Sequence, residues 1–469
     1  MIFRNVLKNL LYVFSSNLVY IIVSTVMITV VPKYMSTEDY GAWQLFLFYF
    51  SYVYFWHFGW EDGIYLRYAG RDYSSLDAKI FSGQLYGIIL LQIVLGLTFF
   101  YLANAIVLSI GQIKIIGFVS IAMVFANFTN FSSIIFQTTN RISYYVRLII
   151  IEQIVFLSLV VSMFFMGLNS YSNLIYCKLG SLFIATCFAC YGIKELLTFT
   201  DFNIYQFFSE ARKNICVGSK LMVANIASQL IIGIFRYGIS VNWDIATFGK
   251  ISLTLSISNF LLVFINAVSI VFFPLLKQVN EEDRGKLYIK SGNFLSMFSL
   301  GFLLLYYPIK YVLSLWLPQY ASALIYMAIL FPLCFFESKM ALLINTYLKS
   351  MRQEYLMLKI NVCTLILSII FTYIGASVIH NLNFIVLCIL LLVAFRCILA
   401  EFCLGKLLNI NMGKDNFIDI GVIIIFVSCN WFIDNYQGFI VYFVAYMLYL
   451  YFNKQKVLQF VPYIHKLRQ

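Results

Sequence analysis

Residues 10–32 read LLYVFSSNLVYIIVSTVMITVVP, an apolar run of 23 residues with no charged side chain. A helix needs about 20 mainly apolar residues to cross the hydrocarbon core, so this run is long enough to span a membrane. It carries no small-residue cleavage site of the kind that ends a secretory signal, and it reads as a first membrane helix.

Similar runs recur along the chain, at roughly 41–60, 83–105, 113–138, 143–166, 171–193, 217–241, 246–274, 291–316, 320–347, 354–378, 381–403, 416–433 and 436–452. With the first, at 9–32, they make about fourteen spans, the last two being the shortest. Composition agrees. The 469 residues are 62% hydrophobic and 11% charged, whereas soluble domains are about 45–50% apolar and about 25% charged. The expected fold is therefore all-α and polytopic, and no segment reads as a soluble domain.

The net charge is +12, yet the cations form no basic arm of the kind that binds nucleic acid. They recur between the apolar runs. With the N-terminus inside, 24 of the 32 Lys and Arg residues fall on the cytoplasmic side and five on the outer side, leaving Lys178, Lys339 and Arg396 within helices. Cytoplasmic loops carry such an excess, so both termini are expected in the cytoplasm. Cys187 and Cys190 form a lone CxxC with no second pair, so no zinc site is expected. Neither GxSxG nor HExxH occurs, and the chain is expected to be no enzyme and to need no cofactor.

An offset of 208 residues pairs Asn17 with Asn225, Gly41 with Gly249, Thr138 with Thr346 and Arg141 with Lys349. Each pair falls at the equivalent point of its half. This predicts two parallel six-helix lobes, 1–205 and 206–410, followed by two extra helices and a tail at 411–469.

Polar side chains at membrane depth are costly, so their placement carries information. Ser252, Ser256, Asn259 and Asn266 share a helical face; so do Asn225, Gln229 and Arg236. Asn17, Tyr20 and Ser24 form a third stripe, and Asn127, Asn130, Gln137 and Arg141 a fourth. Each fits interhelical hydrogen bonding, worth about 0.6 kcal/mol per contact, or the lining of a hydrated cavity. Four stripes in the helices that build the lobes favour the cavity.

The deepest charges are Glu152, Lys178, Glu337, Lys339 and Arg396, with Arg236 and Lys250 nearer the outer face. Basic residues exceed acidic ones here, which points to an anionic cargo, and Arg bonds phosphate oxygens in pairs. The bland readings are that Arg236 and Lys250 snorkel to the interface, that Lys339 neutralises Glu337, and that His57 packs among aromatics. Glu61 and Asp62, following Gly59, read either as interfacial charge or as a gating cluster.

At this point the chain resembles a family, the Wzx-type polysaccharide flippases of the multidrug/oligosaccharidyl-lipid/polysaccharide exporter superfamily. Pro32, Glu38, Tyr40, Gly41 and Trp43 resemble its first outer loop and the start of helix two. Phe58, Gly59, Gly63, Arg67 and Tyr68 are similar to the small-residue-rich end of that helix; Gln137, Asn140, Arg141 and Tyr145 are similar to the end of helix four. Phe235, Arg236, Tyr237, Phe248 and Gly249 resemble the end of helix seven and beyond, without the acidic residue that often precedes the Arg.

The resemblance implies a V-shaped pair of lobes in a bacterial inner membrane, working by alternating access. The implied cargo is an undecaprenyl-pyrophosphate-linked oligosaccharide for O-antigen or capsule, moved from the cytoplasmic to the periplasmic leaflet. Arg236, Lys250 and Arg141 would attract its pyrophosphate or acidic sugars, and Asn225, Gln229, Asn259 and Asn266 would bond its sugar hydroxyls. Asp62, Glu152, Lys178, Glu337, Lys339 and Arg396 are candidates for gating or ion coupling. Expected partners are the lipid-linked substrate, membrane lipids and assembly proteins such as glycosyltransferases or a polymerase, with no nucleic acid. Two other readings stay open: a cation-coupled drug or metabolite antiporter of the same superfamily, and a membrane polysaccharide polymerase.

Overall fold

The computed structural model describes residues 2–106, 110–197, 203–260, 262, 281–410, 413–433 and 436–454, with side chains from residue 15 onward except at 281–282 and 413–415. The described residues are built from helices and their connections, with no strand among them. The chain divides into two compact units, Met1–Ile226 and Ala227–Gln469.

The first unit holds α1 (Ile2–Thr29), α2 (Thr37–Phe50), α3 (Trp60–Tyr68), α4 (Ala78–Ala105), α5 (Ile110–Thr138), α6 (Ile142–Phe165) and α7 (Tyr171–Gly192). Helix α8 (Ile204–Asn242) begins in it and runs on into the second unit. There it is followed by α9 (Ile245–Ser258), α10 (Glu281–Phe302), α11 (Tyr306–Trp316), α12 (Leu324–Leu330), α13 (Leu333–Ser338), a π-helical turn (Lys339–Ile344) and α14 (Asn345–Ser350). The unit ends with α15 (Glu354–Tyr373), α16 (Leu382–Leu408), α17 (Gly413–Phe432) and α18 (Tyr436–Phe452).

Local chemistry sets the helix starts. Ser36 caps α2 by accepting from the Asp39 N–H (3.0 Å), and Glu38 and Asp39 place negative charge at the positive end of the helix dipole. Asp77 caps α4 through the N–H groups of Lys79 and Ile80, and Asn381 caps α16 through that of Phe384. The outward faces carry Leu90, Leu97, Ile154, Phe183, Ile366 and Leu391 exposed, as a lipid-facing surface requires.

Each of the fourteen apolar runs coincides at least in part with described helix, but not all with a full span. Among the described residues, nine helices are long and apolar enough to cross a membrane. A tenth arises if Pro318–Leu330 and Leu333–Ser350, bent by 48° at the break between them, count as one. Ile245–Ser258, Asn416–Phe432 and Tyr436–Phe452 are shorter, the first of them leading toward residues outside the described set. The second run departs most from expectation. It is not one helix over 41–60 but α2, a 3-10 turn at Val53–Phe55, and α3, separated by the left-handed pair Phe58 (φ 54°) and Gly59 (φ 83°).

One pair of helices keeps the 208-residue offset in the backbone. Helices α2 and α9 each have 14 residues, and both their ends lie 208 apart (37 to 245 and 50 to 258). Further on the register drifts. The left-handed turn after α5 is at Asn140 and the one after α14 is at Arg352, an offset of 212 (140 to 352). Arg141 and Gln353 follow these turns, their N–H groups returning to Phe136 and Leu348 at 2.7 and 2.8 Å. Arg141 therefore corresponds to Gln353, not to Lys349, which lies in the last turn of α14.

Candidate functional site

A break inside an apolar run strands backbone carbonyls and N–H groups where no water reaches them, so neighbouring helices must satisfy them. In the first unit, amide side chains do this. The Asn127 amide on α5 donates to the Val53 carbonyl (3.3 Å) and to Gln92 Oε1 (3.1 Å), and the Gln92 amide on α4 donates to the Trp56 carbonyl (3.2 Å). Gln84 Oε1 accepts from the Trp60 indole and from Asn214 (3.1 Å). The Gly59 N–H donates to His57 Nδ1 (3.0 Å), which gives His57 a backbone role that sequence reading does not anticipate.

The residues after the break are acidic and sheltered. Glu61 is 0% exposed and accepts from the Asn130 amide. Asp62 lies 3.9 Å from His57 Nε2. Helix α3 then packs on α8 at backbone contact: a Cβ on Gly59 would lie 2.5 Å from the Ser219 nitrogen, and one on Gly63 would fall inside the Asn214 carbonyl. One turn later Arg67 pairs with Glu210 (2.8 Å) and bonds Asn214, while the Tyr68 hydroxyl reaches Glu210 at 3.3 Å. The stretch Phe58, Gly59, Gly63, Arg67 and Tyr68 is thus one device: a left-handed break, two close-approach glycines and an ionic clamp.

The second unit has its own buried polar cluster. Lys339, in the π-helical turn, contacts Glu401 (3.3 Å), Asp419 (3.5 Å) and Asn416 (3.0 Å). Tyr288 donates to Glu401 (3.2 Å), and Ser296 and Tyr449 donate to Asp419 (2.7 and 2.9 Å). Five helical elements meet in this network. A cavity of about 690 Å³ adjoins it, lined by Glu401, Asn416, Lys406 and the apolar Phe402, Phe417 and Ile420.

The structure distributes the expected site residues unevenly. Lys178 pairs with Glu152 at 2.6 Å between the Phe50 and Phe156 rings. Arg396 pairs with Glu337 (3.4 Å), so Glu337 is not neutralised by Lys339 as expected; each of the two has its own partner on α16. Arg236 Nη2 donates to Ser252 (3.1 Å), with the guanidinium 5.3 Å from the Phe248 ring centre. Lys250 is half-buried on α9, two residues before Ser252, and its carbonyl accepts from the Thr254 hydroxyl (2.9 Å). Asn259 closes that helix, its N–H on the Leu255 carbonyl. Asn225 is half-buried and Gln229 exposed on α8, and Asn266 lies outside the described residues.

Arg141 sits in a structural role. Its guanidinium donates to the Gly192 carbonyl (2.9 Å) and lies 4.2 and 4.1 Å from the ring centres of Tyr73 and Tyr144. A lysine offers no planar fork for that sandwich. Arg141→Lys is expected to lower the thermal midpoint of the purified protein while leaving its affinity for a pyrophosphate-bearing lipid unchanged. A selective loss of that affinity would return Arg141 to the substrate site.

Residues that sequence reading misses are Gln84, Gln92, Glu401, Asn416 and Asp419. The last two fall within four residues of the start of an apolar run and Glu401 within three of the end of one, where charge and amide are cheap and draw no notice. Their burial changes the charge argument. With Glu61, Glu401 and Asp419 counted, buried or half-buried acids match the basic residues, and the excess of deep cations no longer argues for an anionic cargo.

The whole architecture has solved counterparts. The lipid II flippase MurJ, in an inward closed conformation, superposes with a TM-score of 0.69 at 13% identity, over 96% of this chain and 100% of its own. The chain shares the fold of that structure. A multidrug resistance MATE family transporter of the MOP superfamily, inward-facing, gives 0.62 at 13% identity over 82% of this chain and 94% of its own. A MOP superfamily transporter from Pyrococcus furiosus, described as having a binding pocket of reversed polarity, gives 0.53 at 12% identity over 85% and 95%. No family model and no curated protein sequence matches the chain.

Proposed function

We propose that the protein is a flippase for polyprenyl-pyrophosphate-linked oligosaccharides, moving each repeat unit from the cytoplasmic to the periplasmic leaflet by alternating access. The observation that carries this reading is coverage. The lipid II flippase accounts for 96% of the chain, against 82% for the MATE transporter, so a lipid-flipping protein matches nearly all of the chain's length. Arg236, bonded to Ser252 on the adjoining helix, and Lys250 on that helix supply cations for the pyrophosphate. Asn225, Gln229, Asn259 and Asn266 supply amides for sugar hydroxyls. Specificity in such a site is spread over many weak bonds, so the sugar is set by shape more than by any one residue.

The test is a deletion strain of the source organism. Loss of surface polysaccharide, with lipid-linked repeats retained in the cytoplasmic leaflet, is expected. Wild-type protein restores export, and Arg236→Ala with Lys250→Ala restores less than about a tenth of it, the loss of one to two charge-assisted phosphate contacts. Normal polysaccharide in the deletion strain, together with new sensitivity to cationic drugs, would favour the antiporter that the MATE-type neighbours suggest.

A further inference from the structure

The cavity of about 690 Å³ in the second unit has no part in the flippase reading, and its lining is graded along the helix axes. It follows α16 from Ile398 to Asn409, roughly 16 Å at about 1.5 Å per residue. Lys406 lies in the last turn of α16, and Asn409 makes the left-handed turn that closes it (φ 53°). Asn416, near the start of α17, belongs to the same end. Beyond these the lining is apolar, with Ile398 and Phe402 on α16 and Phe417 and Ile420 on α17. Phe402 and Phe417 are 59% and 78% exposed, so this side of the cavity opens toward lipid.

The polar end holds donors. Lys406 Nζ lies 4.4 Å from the centre of the Phe402 ring, and no described carboxylate pairs with it. Asn416 Oδ1 accepts from Lys339 (3.0 Å), which leaves the Asn416 amide N–H groups to donate. Glu401, on the inner wall, is buried and held by Lys339 (3.3 Å) and Tyr288 (3.2 Å). Glu401 and Asp419 share that one lysine, so the network behind the wall has no positive charge to spare. The cavity can therefore balance one negative charge, through Lys406. A phosphodiester carries one, on oxygens that accept from an ammonium and from amides. A pyrophosphate brings more charge than a single lysine answers. Complementing the α16 dipole explains a cation in the last turn, but not the cavity or the amides around it.

We propose that this cavity binds one glycerophospholipid of the surrounding bilayer, with its phosphodiester on Lys406, Asn409 and Asn416 and an acyl chain against Phe402, Phe417 and Ile420. The order along the helices is that of a lipid in its leaflet, with the charged group at the helix ends and the chain toward the middle. Basic pockets between membrane helices recognise phospholipid headgroups in this way. Asn416 links the site to the rest of the unit. A phosphate on its N–H groups fixes the amide whose oxygen holds Lys339, and Lys339 in turn holds Glu401 on α16 and Asp419 on α17. Bound lipid thus secures α17 to α16. This goes beyond the flippase reading and does not depend on the cargo.

The experiment uses the full-length protein purified in detergent, with no cargo, so that its outcome is separable from that of the export assay. The thermal midpoint is followed as phosphatidylglycerol, diacylglycerol with the same chains, or inorganic phosphate is added. Phosphatidylglycerol alone is expected to raise it, saturably, and Lys406→Ala to need about ten times more of that lipid for the same rise. Lys359→Ala, which removes another exposed cation of the same unit, is expected to respond as wild type does. If Lys406→Ala yields no folded protein, Ile420→Trp replaces it, filling the apolar end of the cavity, with the same shift of about tenfold. A wild type that phosphatidylglycerol does not stabilise, equal stabilisation by diacylglycerol or inorganic phosphate, or a Lys406→Ala response in parallel with wild type overturns the proposal. So does a polyprenyl pyrophosphate acting through Lys406 at lower concentration than phosphatidylglycerol, since the cavity would then belong to the cargo.

Discussion

Lys339→Met is expected to be the most destabilising single substitution in the second unit, costing about 3–5 kcal/mol. Methionine keeps most of the stem and removes the only cation within 4.0 Å of Glu401 and Asp419 among the described residues. Both carboxylates are buried, at 2% and 4% exposure, and lose their shared counter-charge together. Adding Glu401→Gln and Asp419→Asn to Lys339→Met removes the charges themselves and is expected to restore most of the loss. Thermal midpoints of wild type, Lys339→Met and the triple variant in detergent check this. A single variant as stable as wild type would show that the cluster does not hold the unit together.

Gly63→Val is expected to prevent the first unit from folding. Its Cβ would overlap the Asn214 carbonyl, which is backbone and cannot swing aside, and Gly218 opposes Gly59 at equally close range. Helix α3 would have to leave α8, and the Arg67–Glu210 pair would separate with it. Gly421→Val is the control, since nothing lies within 4 Å of the added Cβ. Loss of a monodisperse peak for Gly63→Val beside a normal one for Gly421→Val is the expected gel-filtration result. Two normal peaks would mean that α3 and α8 do not need to touch.

Much of the fold is legible in the chain because lipid imposes a simple demand. A helix must be about 20 residues long and apolar, and the fourteen runs meet that demand or approach it. The caps are local too: Ser36, Asp77 and Asn381 each stand directly before the helix they begin. The break at Phe58 and Gly59 is not local. It lies inside an apolar run, and the amides that make it tolerable, at Gln92 and Asn127, come from 36 and 74 residues further on. Nothing in the run itself shows that they will arrive.

The candidate site divides along the same line. The polar stripe with Asn127 and Asn130 is visible as a helical face, but its use is not: those amides hold the broken helix and Glu61. Charge can be read by type and depth, which finds Lys178, Lys339 and Arg396. Partners are set by packing, and those of Lys339 are 62 and 80 residues away. A count of cations taken before partners are known therefore overstates the positive character of the interior. In the proposed function, Arg236, bonded to Ser252 on the adjoining helix, and Lys250 on that helix are the cations assigned to the cargo.

The most direct test of that reading is flipping by the purified protein in sealed vesicles. A polyprenyl-pyrophosphate oligosaccharide is incorporated in both leaflets, and a membrane-impermeant glycosidase outside trims whatever it can reach. Empty vesicles are expected to protect the inner-leaflet half. Vesicles holding wild-type protein should lose that protection, and those with Arg236→Ala and Lys250→Ala should keep most of it. Protection as complete with wild-type protein as in empty vesicles would contradict the account.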